Sequence, residues 1–236
     1  MTQSNPKSEI INLKLVLMSC CAPCSAGAIV QLRAIVGAKN HPPKSTILSG
    51  PGNYLPLQDG DLVKISDFVV LFYNPNIFPE LEYQKRLAEQ IRYCDQLGVK
   101  YVVGVPACAG MTNYDAAHQE WRNCVRGLED EPEQGARCAA CFRHRFAYGA
   151  EWARRHGYNA IASVFGVSRW KNQSQVDAAA ESVVGAGSAR PISGAIPAPL
   201  RYIPIAWDES ARVAKNKKAC FYRQKYCGCE FSIRET

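Results

Sequence analysis

Lys14-Leu15-Val16-Leu17-Met18 runs without a break into Ser19-Cys20-Cys21-Ala22-Pro23-Cys24. The first five residues include strand formers and no turn residue. Beyond the cysteines, Ala28, Ile29, Leu32, Ile35 and Val36 recur at helical spacing, and Gly37 stands where a C-terminal cap is expected. The junction reads as strand, cysteine turn, helix. Three thiols within five residues at a helix N-terminus lie where free amide donors and the helix dipole favour thiolate, the form that binds metal or attacks electrophiles. The plainer reading, cysteine as a small apolar core residue, suits one such residue better than three.

The pattern repeats outward. Phe68 to Tyr73 (FVVLFY) ends in Asn74-Pro75-Asn76, and Glu80 to Leu97 then carries Leu87, Ile91, Cys94 and Leu97 on one face before Gly98. Val99 to Val105, Ala160 to Phe165 and Tyr202 to Trp207 read as further strands, with helices near residues 113–125, 138–156, 173–184 and 209–218. Strands alternating with helices of this length imply an α/β fold with a mostly parallel sheet. In such sheets ligands gather beyond the carboxyl ends of the strands, so the cysteine turn and the Asn74-Pro75-Asn76 turn are expected to face one site. Residues 40–66 and 185–200 are dense in Gly, Pro and Ser and read as surface insertions in a single domain spanning residues 1–236.

Composition narrows the class. With 236 residues, 47% hydrophobic and 21% charged, the chain has enough apolar content for a core and is neither disordered nor fibrous. No stretch reaches the ~18 consecutive apolar residues of a membrane span, and the polar start MTQSNPKSEI lacks the layout of a secretory signal. No membrane association and a cytoplasmic location are the expectations. A net charge of +7 permits a polyanionic partner without requiring one.

Eleven cysteines in a chain of this kind point to metal or redox chemistry rather than disulfide stapling. Cys138-Ala139-Ala140-Cys141 lets two sulfurs converge, and by itself fits zinc, iron–sulfur or thioredoxin-like chemistry. Cys227-Gly228-Cys229 would close a very small disulfide ring, and strained bonds are easily reduced, which suits electron transfer; two reduced thiols packed near the C-terminus is the alternative. Cys94, Cys108, Cys124 and Cys220 stand apart and read as packing residues, and His41, His118, His144 and His156 form no ligand or triad pattern. There is no phosphate loop, no G-x-G-x-x-G after a strand and no G-x-S-x-G elbow, which removes support for NTPase, dinucleotide dehydrogenase and α/β-hydrolase readings.

Four motifs in order carry a resemblance. They are Cys20-Cys21-Ala22-Pro23; Tyr73-Asn74-Pro75-Asn76-Ile77 with Pro79 and Glu82-Tyr83; Gly135 and Arg137-Cys138 to Cys141-Phe142; and Tyr222-Arg223-Gln224-Lys225-Tyr226-Cys227-Gly228-Cys229 with Phe231-Ser232. Together they resemble the cobalamin-independent epoxyqueuosine reductases of the QueH type, over roughly residues 12–38 and 68–234. Residues 40–66 and 168–172 depart from the family pattern.

The resemblance implies a Rossmann-like, HUP-related three-layer sandwich and the two-electron deoxygenation of epoxyqueuosine to queuosine at the tRNA wobble position. It implies that Cys20, Cys21, Cys138 and Cys141 hold a [4Fe-4S] cluster and that Cys227 and Cys229 form a redox-active disulfide. Four thiolates on four irons would leave no open iron for the epoxide oxygen, so Cys24 is a candidate ligand for an additional mononuclear iron. The implied partners are tRNA bearing epoxyqueuosine and an unidentified electron donor. Arg137, Arg143, Arg145, Arg169, Lys171, Arg223 and Lys225 are candidate phosphate contacts, Tyr73 or Tyr226 candidate stacking platforms, and Asp115, Glu133 and Asp208 conceivable acids. The competing readings are a non-catalytic metal-stabilised RNA-binding module and a zinc hydrolase or deaminase, the latter lacking the H-x-E partner that zinc deaminases use.

Overall fold

In the computed structural model the Lys14–Met18 run lies inside a longer strand, β1 (Ile11–Met18), at the centre of a six-stranded sheet. The structure describes residues 11–37, 54–56, 62–104, 113–185, 199–204, 213, 216, 219–222 and 224–233. Within them follow α1 (Ala22–Gly37), β2 (Tyr54–Pro56), β3 (Leu62–Phe72), α2 (Glu80–Leu97) and β4 (Tyr101–Val103). After these come α3 (Asn113–Cys124), α4 (Ala136–Arg155), β5 (Ala160–Ser163), α5 (Gln173–Gly185) and β6 (Arg201–Tyr202), with single 3-10 turns at Phe165–Val167 and Glu230–Ser232.

Five strands run parallel in the order β4-β3-β1-β5-β6, and β2 joins antiparallel beside the start of β3. Numbered along the chain, the parallel strands stand 3-2-1-4-5, the order of a doubly wound sheet, whose direction reverses between β1 and β5. Crossovers of the usual right hand carry the helices before and after the reversal to opposite faces. The packing agrees: α1 lies on α2, and α4 lies on α5. Because both faces are covered, Leu15, Val16, Leu17 and Met18 of β1 and Ala160, Ile161 and Ala162 of β5 are 0% exposed, so these strands read as apolar runs rather than alternations. Helix α4 comes close enough to β1 at Gly149 that a Cβ there would stand 2.5 Å from Met18 Sδ.

The α/β reading and the mostly parallel sheet are as the sequence implies, and α2 has the expected bounds. Differences have local causes. Of the segment 40–66 only 54–56 and 62–66 are described, and they form β2 and the start of β3. Strand β6 stops at Tyr202 because Pro204 removes a ladder donor just beyond it. Of the helix expected at 209–218 only residues 213 and 216 are described, both helical, and nearly all of the insertion at 185–200 and His41, Cys108, Asp208 and Arg223 lie outside the described residues.

Candidate functional site

The ends of β1, β3 and β5 meet where the sheet reverses direction. Ser19 N–H donates to Leu71 O (2.9 Å), extending the β1–β3 ladder by one bond past β1. The Asn74 amide then donates to Ser19 O (2.9 Å) and accepts from Arg145 of α4, whose Nε also donates to Tyr73 O (3.3 Å). The Arg145 guanidinium lies 3.6 Å from the centroid of the Phe165 ring, just after β5. One buried arginine thus ties three strand ends together.

Cys20, Cys21 and Cys24 sit on this platform. Their sulfurs lie within 4.8 Å of one another, with Cys20 Sγ and Cys21 Sγ 3.8 Å apart, the one group of this kind among the described residues. Cys21 immediately precedes α1 and Cys24 lies in its first turn, beside the unpaired N–H groups of the helix start. Gln90 of α2 fixes the surroundings: Ser19 Oγ and Ser25 Oγ both donate to its Oε1 (2.7 and 2.9 Å), and its Nε2 donates to Cys94 Sγ (3.3 Å). Hydrogen bonds from Cys21 and then Cys24 hold the Cys20 thiol well below its usual pKa, against the effect of burial. Burial, reinforced by Cys20, pushes Cys21 up to about 12, and the bonds to Cys20 and Cys21 push Cys24 up as well. Cys20 is thus the thiol of the three that gives up its proton most readily, and a metal cation that displaced the protons would meet three ligands already converged. The donor set therefore fits a thiophilic metal or an iron–sulfur centre.

The other cysteine pairs gather nearby. Cys141, near the start of α4, packs with Trp121, Val125 and Ala140, and Cys229 and Phe231 cover this cluster from the C-terminal segment. Cys138, one turn earlier, accepts from Gln134 N–H at 3.2 Å. Cys227 and Cys229 are free thiols in this structure, and Cys229 pairs with Ile77 through an isolated bridge just after the Asn74-Pro75-Asn76 turn. Cys24 completes the converging group with Cys20 and Cys21, while Cys138 and Cys141 lie outside it. The cations Arg145 and Lys171 act electrostatically on both Cys20 and Cys141. Burial pulls the Lys171 ammonium down, yet the neighbouring Cys20, Cys227 and Cys24 sulfurs leave its pKa raised.

A cavity of 690 Å³ opens beside Cys24, with Trp170, Lys171, Asn216, Tyr222 and Gln224 among its walls. The Arg169 guanidinium lies 4.7 Å from the Trp170 ring, and Asn216 donates to Pro23 O (3.0 Å) while its own buried Oδ1 has no partner among the described residues. Aromatic faces, two cations and an unpaired acceptor suit a polar heterocycle carrying hydrogen-bond donors.

Several expectations are corrected. Tyr73 is 1% exposed and stacks on Tyr148 with centroids 3.8 Å apart, so no base can reach it. Arg145 (1% exposed) and Arg137 (3%) are buried with carbonyl partners and cannot meet phosphates, whereas Arg143, Arg169 and Lys225 are exposed. Cys124 and Cys220 are exposed rather than packed, while Cys94 is fully buried. Of the histidines, His118 is 9% exposed and packs against Phe78, Tyr114 and Trp121, a structural role.

His144 shares a hydrogen bond with Tyr73 Oη (3.0 Å), and burial holds its pKa below the usual value. A depressed folded-state pKa means that the unfolded chain binds the proton more readily, so this contribution to stability is present above about pH 6.5 and is lost as pH falls through the folded-state value. Urea midpoints should therefore fall between pH 7 and pH 5 more steeply for the parent chain than for His144→Gln. Equal slopes would remove His144 from the account.

A model of the family described as epoxyqueuosine reductase QueH matches residues 57–235. The chain is 32% identical over 232 residues to the epoxyqueuosine reductase QueH of Histophilus somni (strain 129Pt), covering 94% of this chain and 73% of that one. It is 32% identical over 227 residues to the protein of that name from Haemophilus influenzae, with 94% and 73% covered. The similarity to the Acinetobacter baylyi protein of the same name is 30% over 227 residues, with 94% and 82% covered.

Proposed function

The chain belongs to the epoxyqueuosine reductase QueH family, and from that premise we propose that it reduces epoxyqueuosine in tRNA to queuosine. The observation that carries the chemistry is the buried, converged thiol group beside an open cavity. We read the sheet as the Rossmann-like, HUP-related sandwich, with the site at its reversal point.

Removing the epoxide oxygen consumes two electrons and two protons and yields an alkene and water. The Cys227/Cys229 dithiol carries that number of both and is left as a disulfide, which an external electron donor must reduce before the next turnover. A [4Fe-4S] cluster on Cys20, Cys21, Cys138 and Cys141, with a further iron on Cys24, would supply electron transfer and a Lewis acid for the epoxide oxygen. The convergence of Cys24 with Cys20 and Cys21 favours a second ligand assignment in which these three are the resident set.

The chain's own residues support the rest. Trp170 and Tyr222 offer faces for the modified base, and the Asn216 acceptor takes an N–H or O–H donor from it. Lys171 brings positive charge within electrostatic reach of both the thiol group and Cys227, which favours departure of the oxygen as an anion before protonation. The exposed Arg143, Arg169 and Lys225 are available for phosphates of the anticodon loop.

Expression of the chain in cells that lack any epoxyqueuosine reductase, followed by nucleoside mass spectrometry of their tRNA, tests this reading. Replacement of epoxyqueuosine by queuosine is the expected result. Salt-sensitive tRNA binding with epoxyqueuosine unchanged, by folded and metal-loaded protein, would instead favour an RNA-binding module.

A further inference from the structure

Glu82, Arg86 and Glu89 occupy one face of α2 at spacings of four and three residues, and each of them reaches the C-terminal segment that ends in Cys227-Gly228-Cys229. Arg86 is 1% exposed, and each of its three guanidinium nitrogens has a partner. Nε donates to Glu82 Oε1 (2.7 Å), Nη1 to Cys227 O (2.9 Å) and Nη2 to Tyr226 O (3.3 Å), while the Tyr226 ring lies 5.4 Å away. The second Glu82 oxygen accepts from Tyr222 Oη (3.0 Å), and Glu89 accepts from Tyr222 N–H (2.8 Å).

The contact is close enough to specify a residue type on the opposite side. Gly228 has φ +111°, and a Cβ there would stand 2.7 Å from Arg86 Nη1. Beyond it, Phe78 N–H donates to Gly228 O at 2.8 Å, closing the segment against the residue that follows Ile77. The same guanidinium is within electrostatic reach of Cys21 and Cys20. A buried arginine–glutamate pair has a large desolvation cost and is weak evidence for stability by itself. Here both terminal nitrogens donate to main-chain carbonyls at the start of the cysteine pair, Tyr226 O and Cys227 O, using the planar fork that lysine lacks.

We propose that Arg86, braced by Glu82, is a positioning residue that fixes the main chain of Cys227-Gly228-Cys229 beside the Cys20/Cys21/Cys24 group. This rests on the reading of Cys227 and Cys229 as the redox pair. Its consequence is that thiol chemistry at Cys227 runs from one held geometry rather than from a loose C-terminal segment.

Two variants approach the contact from opposite sides: Arg86→Gln removes the fork, and Gly228→Ala inserts a methyl group into it. In full-length protein, both should raise amide hydrogen exchange across residues 224–229 and the iodoacetamide labelling rate of Cys227 about tenfold or more, with exchange in β1 and β3 unchanged. With epoxyqueuosine tRNA, kcat per folded chain should fall at least about tenfold while KM stays within about twofold, the split expected when an interaction made in the transition state is lost; the unchanged exchange of β1 and β3 shows that the fall is not a loss of folded protein. Parent-like exchange and labelling in both variants would overturn the proposal, as would loosening of the segment with kcat unchanged. Exchange and labelling are read without turnover, so a parent chain inactive on tRNA would count against the function and not against the clamp. If Arg86→Gln fails to fold, Gly228→Ala decides.

Discussion

Cys21→Ala is expected to leave a folded chain that no longer retains a metal centre and has lost more than ~100-fold of its reductase activity, beyond what loss of an outer-shell partner costs. Cys21 is 0% exposed, stands 3.8 Å from Cys20 and is the residue on which the β1 end and the start of α1 converge. Deleting one buried sulfur removes apolar contact worth about 1 kcal/mol, far too little to unfold a domain of this size. If the three converged thiols hold the centre, this variant leaves two of them, and the loss falls on metal retention rather than on folding. Cys94→Ala is the matched control: Cys94 is equally buried, and its sulfur only accepts from Gln90. Iron and sulfide content of both variants, prepared without oxygen, checks the prediction. Equal retention in Cys21→Ala and Cys94→Ala would move the metal away from the β1 end.

The second large effect is on stability. Trp121→Ala should cost about 3–5 kcal/mol, lowering the melting temperature by roughly 6–20 °C in a chain of this length. Trp121 is 0% exposed and is the largest side chain in a cluster with Val125, Ala140 and Cys141, with Phe231 at 5.9 Å and His118 at 5.4 Å between ring centroids. The indole is the surface on which α3, α4 and the C-terminal segment meet, so its loss should also speed labelling of Cys141 and Cys229. Trp121→Phe, which keeps most of the volume, should recover more than half of the stability. Thermal denaturation of the three proteins decides it, and a shift under about 3 °C for Trp121→Ala would mean that the cluster is peripheral to the core.

How much of this was legible in the sequence depends on the range of the interaction. Strand β1, the cysteine turn and α1 are local, as are the apolar face and Gly98 cap of α2, and they could be read directly. The opening half of β3 could not, because Lys64, Ser66 and Asp67 interrupt the apolar pattern that Phe68 resumes and Gly and Pro residues dominate the approach to it. The cysteine motifs stood out by spacing. Arg86 and Gln90 did not, because what defines them lies far along the chain: main-chain carbonyls at 226 and 227 for the first, Ser19 and Ser25 for the second. Arg145 and Tyr73 were misread for the same reason, since a long polar side chain near a motif looks like a surface contact until its buried partners are known.

Removal of the epoxyqueuosine oxygen by this chain is expected to require a centre held by the cysteines at the end of β1. Its most direct test is nucleoside mass spectrometry on purified tRNA containing epoxyqueuosine, incubated without oxygen with iron- and sulfide-reconstituted protein and a chemical reductant. Conversion to queuosine with loss of one oxygen atom is expected of the parent chain, and none of Cys21→Ala. Unchanged epoxyqueuosine with fully loaded parent protein, or equal conversion by Cys21→Ala, would contradict it.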